Sequence, residues 1–262
     1  MTDLSGKTAL VTGSTSGIGE AIARALAAQG ADIVLNGFGE EAAIARLKTG
    51  LAEEHGVKVV YDGADMSRPA AIETMMKKAE AEFGAVDILV NNAGIQHTAN
   101  LEDFPAERWD AVIAINLSSA FHTTHHALPA MKRRGWGRIL NVASAHGLVA
   151  SVQKSAYVAA KHGIVGLTKV TALETARDGI TANAICPGWV LTPLVQKQID
   201  ALAERESLTA AAAREKLIGE KMPSGEPVTP EQIGAFAVFL CSPAAERITG
   251  AALPIDGGWT AQ

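Results

Sequence analysis

Residues 8–19, Thr8-Ala9-Leu10-Val11-Thr12-Gly13-Ser14-Thr15-Ser16-Gly17-Ile18-Gly19, decide the fold. Thr8 to Thr12 is apolar and β-branched without polar alternation, which predicts a strand buried on both faces. The periodic pattern from about Ile18 to Gln29 predicts a helix. Between them, glycines let the backbone turn tightly and approach a ligand closely. The helix start adds free N–H groups and the positive end of its dipole, so this turn can cradle a pyrophosphate. The spacing is G-x-x-x-G-x-G, not the G-x-G-x-x-G of the best-known dinucleotide fingerprint. It is the strand–turn–helix context that points to nucleotide binding.

Outward from this stretch the rhythm repeats. Asp32 to Leu35, Lys58 to Tyr61, Asp87 to Val90, Gly137 to Val142, Thr181 to Ile185 and Ala252 to Ile255 read as further strands. Helical patterns fill the gaps, among them Pro69 to Phe83, Pro105 to Arg134 and Ser155 to Asp178. Apolar strands alternating with helices predict a Rossmann-type, doubly wound α/β sheet of about seven parallel strands in one domain, residues 1–262. The Ala-, Glu- and Lys-rich segment from Thr192 to Pro227 breaks the rhythm before the last strand. It is expected to form a helical lid over the substrate.

Composition narrows the function classes. A net charge of −5 argues against a nucleic-acid surface. No apolar run approaches the ~20 residues that span a bilayer, so no membrane association is expected. Met1 to Lys7 lacks a basic and apolar leader pattern, and Cys186 and Cys241 suggest neither a disulfide framework nor a metal site. A cytoplasmic location is the expectation. His122 and His126 have helical i, i+4 spacing but no evident third ligand, so packing is expected there and no metal.

The second strand runs into Asn36-Gly37-Phe38-Gly39. It has no acid at its tip to read a ribose 2′-hydroxyl, and no Arg or Lys to hold a 2′-phosphate. NAD is therefore expected rather than NADP. Asp65 and Met66, after the third strand, are candidates to meet the adenine, although Asp65 could equally cap the next helix.

Tyr157 and Lys161 lie four apart, on one face of a helix. An ammonium near a phenol favours the phenolate and lowers a pKa that starts near ~10, giving a usable general acid/base.

Together these features resemble the short-chain dehydrogenase/reductase family over essentially the whole chain. The resemblance rests on Gly13 to Gly19, Asn91-Asn92-Ala93-Gly94, Asn116, Ser144, Tyr157 with Lys161, Pro187-Gly188 and Thr192. It implies that Tyr157 exchanges a proton with the substrate oxygen while Ser144 hydrogen-bonds that oxygen. Lys161 would hold the nicotinamide ribose, and Asn116 would hold a relay water. Cofactor contacts are implied for Gly13, Thr15, Ser16, Gly17, Ile18 and Gly19 in the cradle. Others are Phe38, Asp65 and Met66, then Asn92, Ala93 and Gly94, then Pro187, Gly188, Val190 and Thr192. The family is commonly tetrameric through its two long helices and last strand, so a homotetramer is expected.

Gln96, Ser144, His146, Lys154, Tyr157, Trp189 and Gln198 narrow the substrate. One lysine, one imidazole and two amides around a proton-transfer tyrosine can clamp a carboxylate. The set resembles that of bacterial D-3-hydroxybutyrate dehydrogenases, which interconvert (R)-3-hydroxybutyrate and acetoacetate with NAD. In them the Trp packs near the substrate methyl. A small hydroxy-acid or keto-acid substrate is expected. A 3-oxoacyl-thioester reductase, a sugar or polyol dehydrogenase and a non-catalytic NAD-binding regulator are the alternatives.

Overall fold

Strand β1 (Thr8–Val11) is buried along its whole length and lies between β2 (Asp32–Asn36) and β4 (Ile88–Asn91), parallel to both. Beyond β2 comes β3 (Val59–Asp62). Beyond β4 come β5 (Gly137–Val142), β6 (Ile180–Pro187) and β7 (Ala252–Ile255). All pairings are parallel, in the order β3-β2-β1-β4-β5-β6-β7. This computed structural model describes residues 2–261, except for the side chains of Pro193 and Leu194.

Helices cover both faces, which is why the central strands show no alternation. Ala9 and Val11 point into one hydrophobic cluster, with α1 (Gly17–Ala27), α2 (Glu41–His55) and α9 (Pro230–Cys241). Leu10 points into the other, with α3 (Pro69–Phe83) and α5 (Ser119–Arg134). The order reverses at β1: the chain runs outward to β2 and β3, then returns to β4 on the other side. A crevice opens at such a switch point, beyond the carboxyl ends of the strands.

Two segments depart from regularity. The pattern from Pro105 to Arg134 is not one uniform helix: α4 (Ala106–Ile113) meets α5 through a π-helical turn, Ala114–Ser118, which carries Asn116. Such turns add a residue locally and often mark functional sites. α6 (Ser155–Thr175) then brings Tyr157 and Lys161 to the crevice. The segment after β6 contains α7 (Pro193–Glu206), α8 (Ala210–Arg214) and a second π turn, Glu215–Gly219. Val190 and Val228, at its two ends, form a β-bridge. None of the helices described is long and apolar enough to cross a membrane.

Candidate active site

The cradle is built from backbone. Gly13 and Gly17 have φ of +64° and +58°, in the left-handed region that side chains disfavour. A Cβ at Gly13 would lie 2.9 Å from the Ala93 Cα, and one at Gly19 only 2.3 Å from the Gly13 carbonyl oxygen. Ser16, at the N-cap of α1, makes no side-chain capping bond, so the first-turn amides stay open to a ligand. The neighbouring strand secures the turn. Asn92 Nδ2 donates to the Thr12 and Gly13 carbonyls at 2.9 and 3.0 Å, and Thr12 Oγ1 accepts from the Asn92 and Ala93 amides at 3.0 Å each.

A cavity of about 870 Å³ runs from this cradle across the carboxyl ends of the strands. It brings together Gly13, Thr15, Ser16, Gly17, Ile18, Phe38, Asp65, Met66, Asn92, Ala93, Gly94, Pro187, Gly188, Val190 and Thr192 of the implied cofactor set, with Tyr157 and Lys161. Gly19 is the exception. It lies behind the lining, where its missing side chain lets α1 pack on the turn.

At the tip of β2, the buried Asn36 is fully engaged. Its Nδ2 donates to the Asp62 and Ala64 carbonyls at 3.0 Å each, and its Oδ1 accepts from the Gly13 amide at 3.4 Å. Thr15 Oγ1 donates to the Phe38 carbonyl at 2.8 Å, and the Phe38 ring is 69% exposed at the cavity mouth. Asp65 turns its carboxylate on Ser67, accepting from the amide at 2.8 Å and the hydroxyl at 2.7 Å. Those bonds hold its carboxyl below the usual range. No lysine or arginine lines this end of the cavity.

The candidate proton-transfer pair sits further along. Tyr157 and Lys161 share one face of α6, with the lysine nitrogen 5.6 Å from the phenol ring centre. Lys161 Nζ donates to the Val142 carbonyl at 2.7 Å. The expected lowering of the phenol pKa is not met in the free chain. Burial pushes the phenol above its ordinary value, and a hydrogen bond with Ser144 only partly offsets this. Burial also drops Lys161 to about 8. Desolvation opposes both charges, and the ammonium rests on a carbonyl rather than on the phenol oxygen. Asn116 stands behind the cavity lining. Its amide exchanges two hydrogen bonds with the Ile95 backbone, at 2.8 and 2.9 Å, which fixes the segment leading to Gln96.

All seven residues of the expected substrate set line the cavity: Gln96, Ser144, His146, Lys154, Tyr157, Trp189 and Gln198. Lys154 makes no ion pair among the described residues, sits 5.6 Å from the Trp189 ring centre, and has its pKa lowered by burial. His146 is buried, and desolvation together with Lys154 holds its pKa at about 4, so its ring is neutral. The sequence reading missed Trp259. It stacks on Trp189 with ring centres 6.4 Å apart and meets His146 edge-on at 5.1 Å. Gly257 and Gly258, at φ of +59° and +89°, turn it back over the cavity after β7. That glycine pair was the available signal, but no sequence spacing ties it to Tyr157.

Fold and cleft together define a Rossmann-type oxidoreductase. A family model described as "Enoyl-(Acyl carrier protein) reductase" matches residues 13–260. The chain belongs to the short-chain dehydrogenase/reductase family. It is 66% identical to a D-beta-hydroxybutyrate dehydrogenase of Cupriavidus necator, over 99% of this chain and 100% of that one. It is 54% identical to a D-beta-hydroxybutyrate dehydrogenase of Rhizobium meliloti, over 98% and 99% of the two chains. Among solved structures, an L-sorbose reductase of Gluconobacter frateurii, complexed with NADPH and L-sorbose, superposes with a TM-score of 0.95 at 31% identity. That match covers 100% of this chain and 99% of the reductase.

Proposed function

We propose that the protein is an NAD-dependent dehydrogenase interconverting (R)-3-hydroxybutyrate and acetoacetate. The observation that carries the substrate reading is Lys154: a half-buried ammonium lining the cavity that pairs with no carboxylate among the described residues. Partial burial disfavours an unpaired ammonium, and a substrate carboxylate is the natural partner to offset it. Relatives named D-beta-hydroxybutyrate dehydrogenase, at 66% and 54% identity, support the same choice.

The cradle fits NAD. Open amides at the start of α1 suit the pyrophosphate, and glycines hold the room that a Cβ would fill. Asp65 and the absence of basic lining residues at the adenosine end disfavour a 2′-phosphate. NAD supplies the hydride acceptor; the protein supplies position and proton transfer. In the oxidation direction Tyr157 takes the hydroxyl proton and Ser144 donates to the same oxygen. Gln96, His146, Lys154 and Gln198 hold the carboxylate, with Trp189 and Trp259 beside the methyl group. Lys161 orients the nicotinamide ribose. Asn116 keeps one acceptor and one donor site beyond its Ile95 bonds, enough to hold a relay water.

Residues 192–227 act as the lid that brings Gln198 onto the substrate. The working form is a cytoplasmic homotetramer assembled through α4–α5, α6 and β7. Exposed apolar side chains on these helices, Phe121, Val170 and Leu173, support that assembly. The decisive experiment compares rates across small hydroxy acids with NAD and NADP. Turnover with (R)-3-hydroxybutyrate and NAD, and little with the (S)-enantiomer, is expected. Robust NADPH-dependent reduction of an acetoacetyl thioester, with neither enantiomer oxidised, would overturn the reading.

A further inference from the structure

His146 has the geometry of a substrate ligand, yet a neutral imidazole carries one N–H and one lone pair. Only the N–H can serve a carboxylate. Something must decide which ring nitrogen holds the proton, and Ser151 is the group in position to do so. Its Oγ lies 2.9 Å from His146 Nε2. Among the described residues the ring makes no other hydrogen bond, so Nδ1 remains the one polar atom free for a ligand.

The rest of the ring is immobilised. It meets Tyr157 edge-on at 5.9 Å and Trp259 edge-on at 5.1 Å. The His146 amide donates to Ser144 Oγ at 3.1 Å, which fixes the backbone. The titratable groups bearing on the ring are Lys154, His162 and Lys221, and none is a carboxylate that would draw a second proton onto it.

We infer that Ser151 is a positioning residue: its hydroxyl donates to His146 Nε2 and fixes the ring as the Nδ1–H tautomer, a neutral donor aimed at the acid end of the substrate. The imidazole lone pair is the stronger acceptor of the two groups, and a serine hydroxyl rotates freely to meet it. In the opposite tautomer Nδ1 would present a lone pair to the carboxylate, a repulsive contact. The pairing parallels the way second partners set the tautomer of functional histidines elsewhere. Lys154 supplies the charge, and the Ser151–His146 pair supplies direction. The kinetic part of this inference rests on the hydroxy-acid reading, whereas the tautomer does not.

The test uses ¹⁵N-histidine-labelled full-length enzyme without substrate, with the His146 signals assigned by their loss in His146→Gln. Long-range ¹H–¹⁵N correlations are expected to show a neutral ring protonated at Nδ1. Ser151→Ala should abolish that preference and raise KM for (R)-3-hydroxybutyrate about tenfold, the size of one lost hydrogen bond to a charged group, with kcat little changed. Ser151→Thr, which keeps the hydroxyl, should restore both. An Nε2–H tautomer in the unsubstituted enzyme, or an unchanged tautomer in Ser151→Ala, would overturn the inference. If 3-hydroxybutyrate is not turned over but the Nδ1–H signal is present and lost in Ser151→Ala, the positioning role stands and only the substrate reading fails.

Discussion

The two halves of the cleft are made from different material. The half proposed to hold the cofactor, from Gly13 to Gly19 with Asn92 and Thr12, is backbone: open amides, glycines at positive φ, and side chains spent on pinning the turn. The other half, proposed to hold the substrate, is side chains: Lys154, His146, Gln96, Gln198 and the Trp189–Trp259 stack, drawn from distant loops and a helical insertion. A pyrophosphate looks the same in every reaction of this family, so one backbone shape can serve them all. Substrates differ, and specificity requires groups that can be exchanged without disturbing the sheet. Tyr157 and Lys161 stand at the junction, on a long helix that both halves touch.

The sharpest way to separate the halves is Tyr157→Phe. It should lower kcat by about 10²–10⁴-fold, the usual contribution of general acid/base catalysis, while NADH binding measured by fluorescence titration stays nearly intact. Retained turnover would remove Tyr157 from proton transfer.

Lys154→Ala tests the substrate half alone. It removes a charge-assisted hydrogen bond, so KM for (R)-3-hydroxybutyrate should rise by at least about tenfold, with NADH affinity unchanged. An unchanged KM would take Lys154 out of the carboxylate site, and weakened NADH binding would blur the division itself.

Gly19→Ala probes the cofactor half and should have the smallest effect on chemistry. Its Cβ would fall 2.3 Å from the Gly13 carbonyl, so backbone must shift. A loss of about 1–3 kcal/mol is expected, seen as a Tm lower by several degrees together with weaker NADH binding. A variant of unaltered Tm and affinity would show that the cradle yields more readily than its packing suggests.

How far each half was legible follows from the same contrast. Residues 8–19 announce the cradle because strand, turn and helix are contiguous, and glycine is written wherever backbone must pass close by. Tyr157 and Lys161 were legible because helical spacing places them on one face. The ionisation of that pair was not. Spacing brings an ammonium near a phenol, but only the packed structure shows that burial opposes both charges and that Lys161 rests on the Val142 carbonyl. Asp65, read as a partner for adenine, turns mainly on Ser67, a local competition that sequence leaves open.

The sequence by itself determined the parallel α/β sheet, the glycine-rich turn before α1, the shared helix face of Tyr157 and Lys161, and the residue types proposed to bind a carboxylate. These depend on local periodicity and on residue chemistry, which the chain states directly. Only the tertiary structure decided that Gly19 and Asn116 stand behind the cavity lining, that Trp259 folds back over it, and that Ser151 meets His146. The Trp259 and Asn116 placements bring together segments far apart in the chain, whereas the Gly19 and Ser151–His146 contacts are local but lie in irregular turns, and neither kind leaves a periodic trace along the chain.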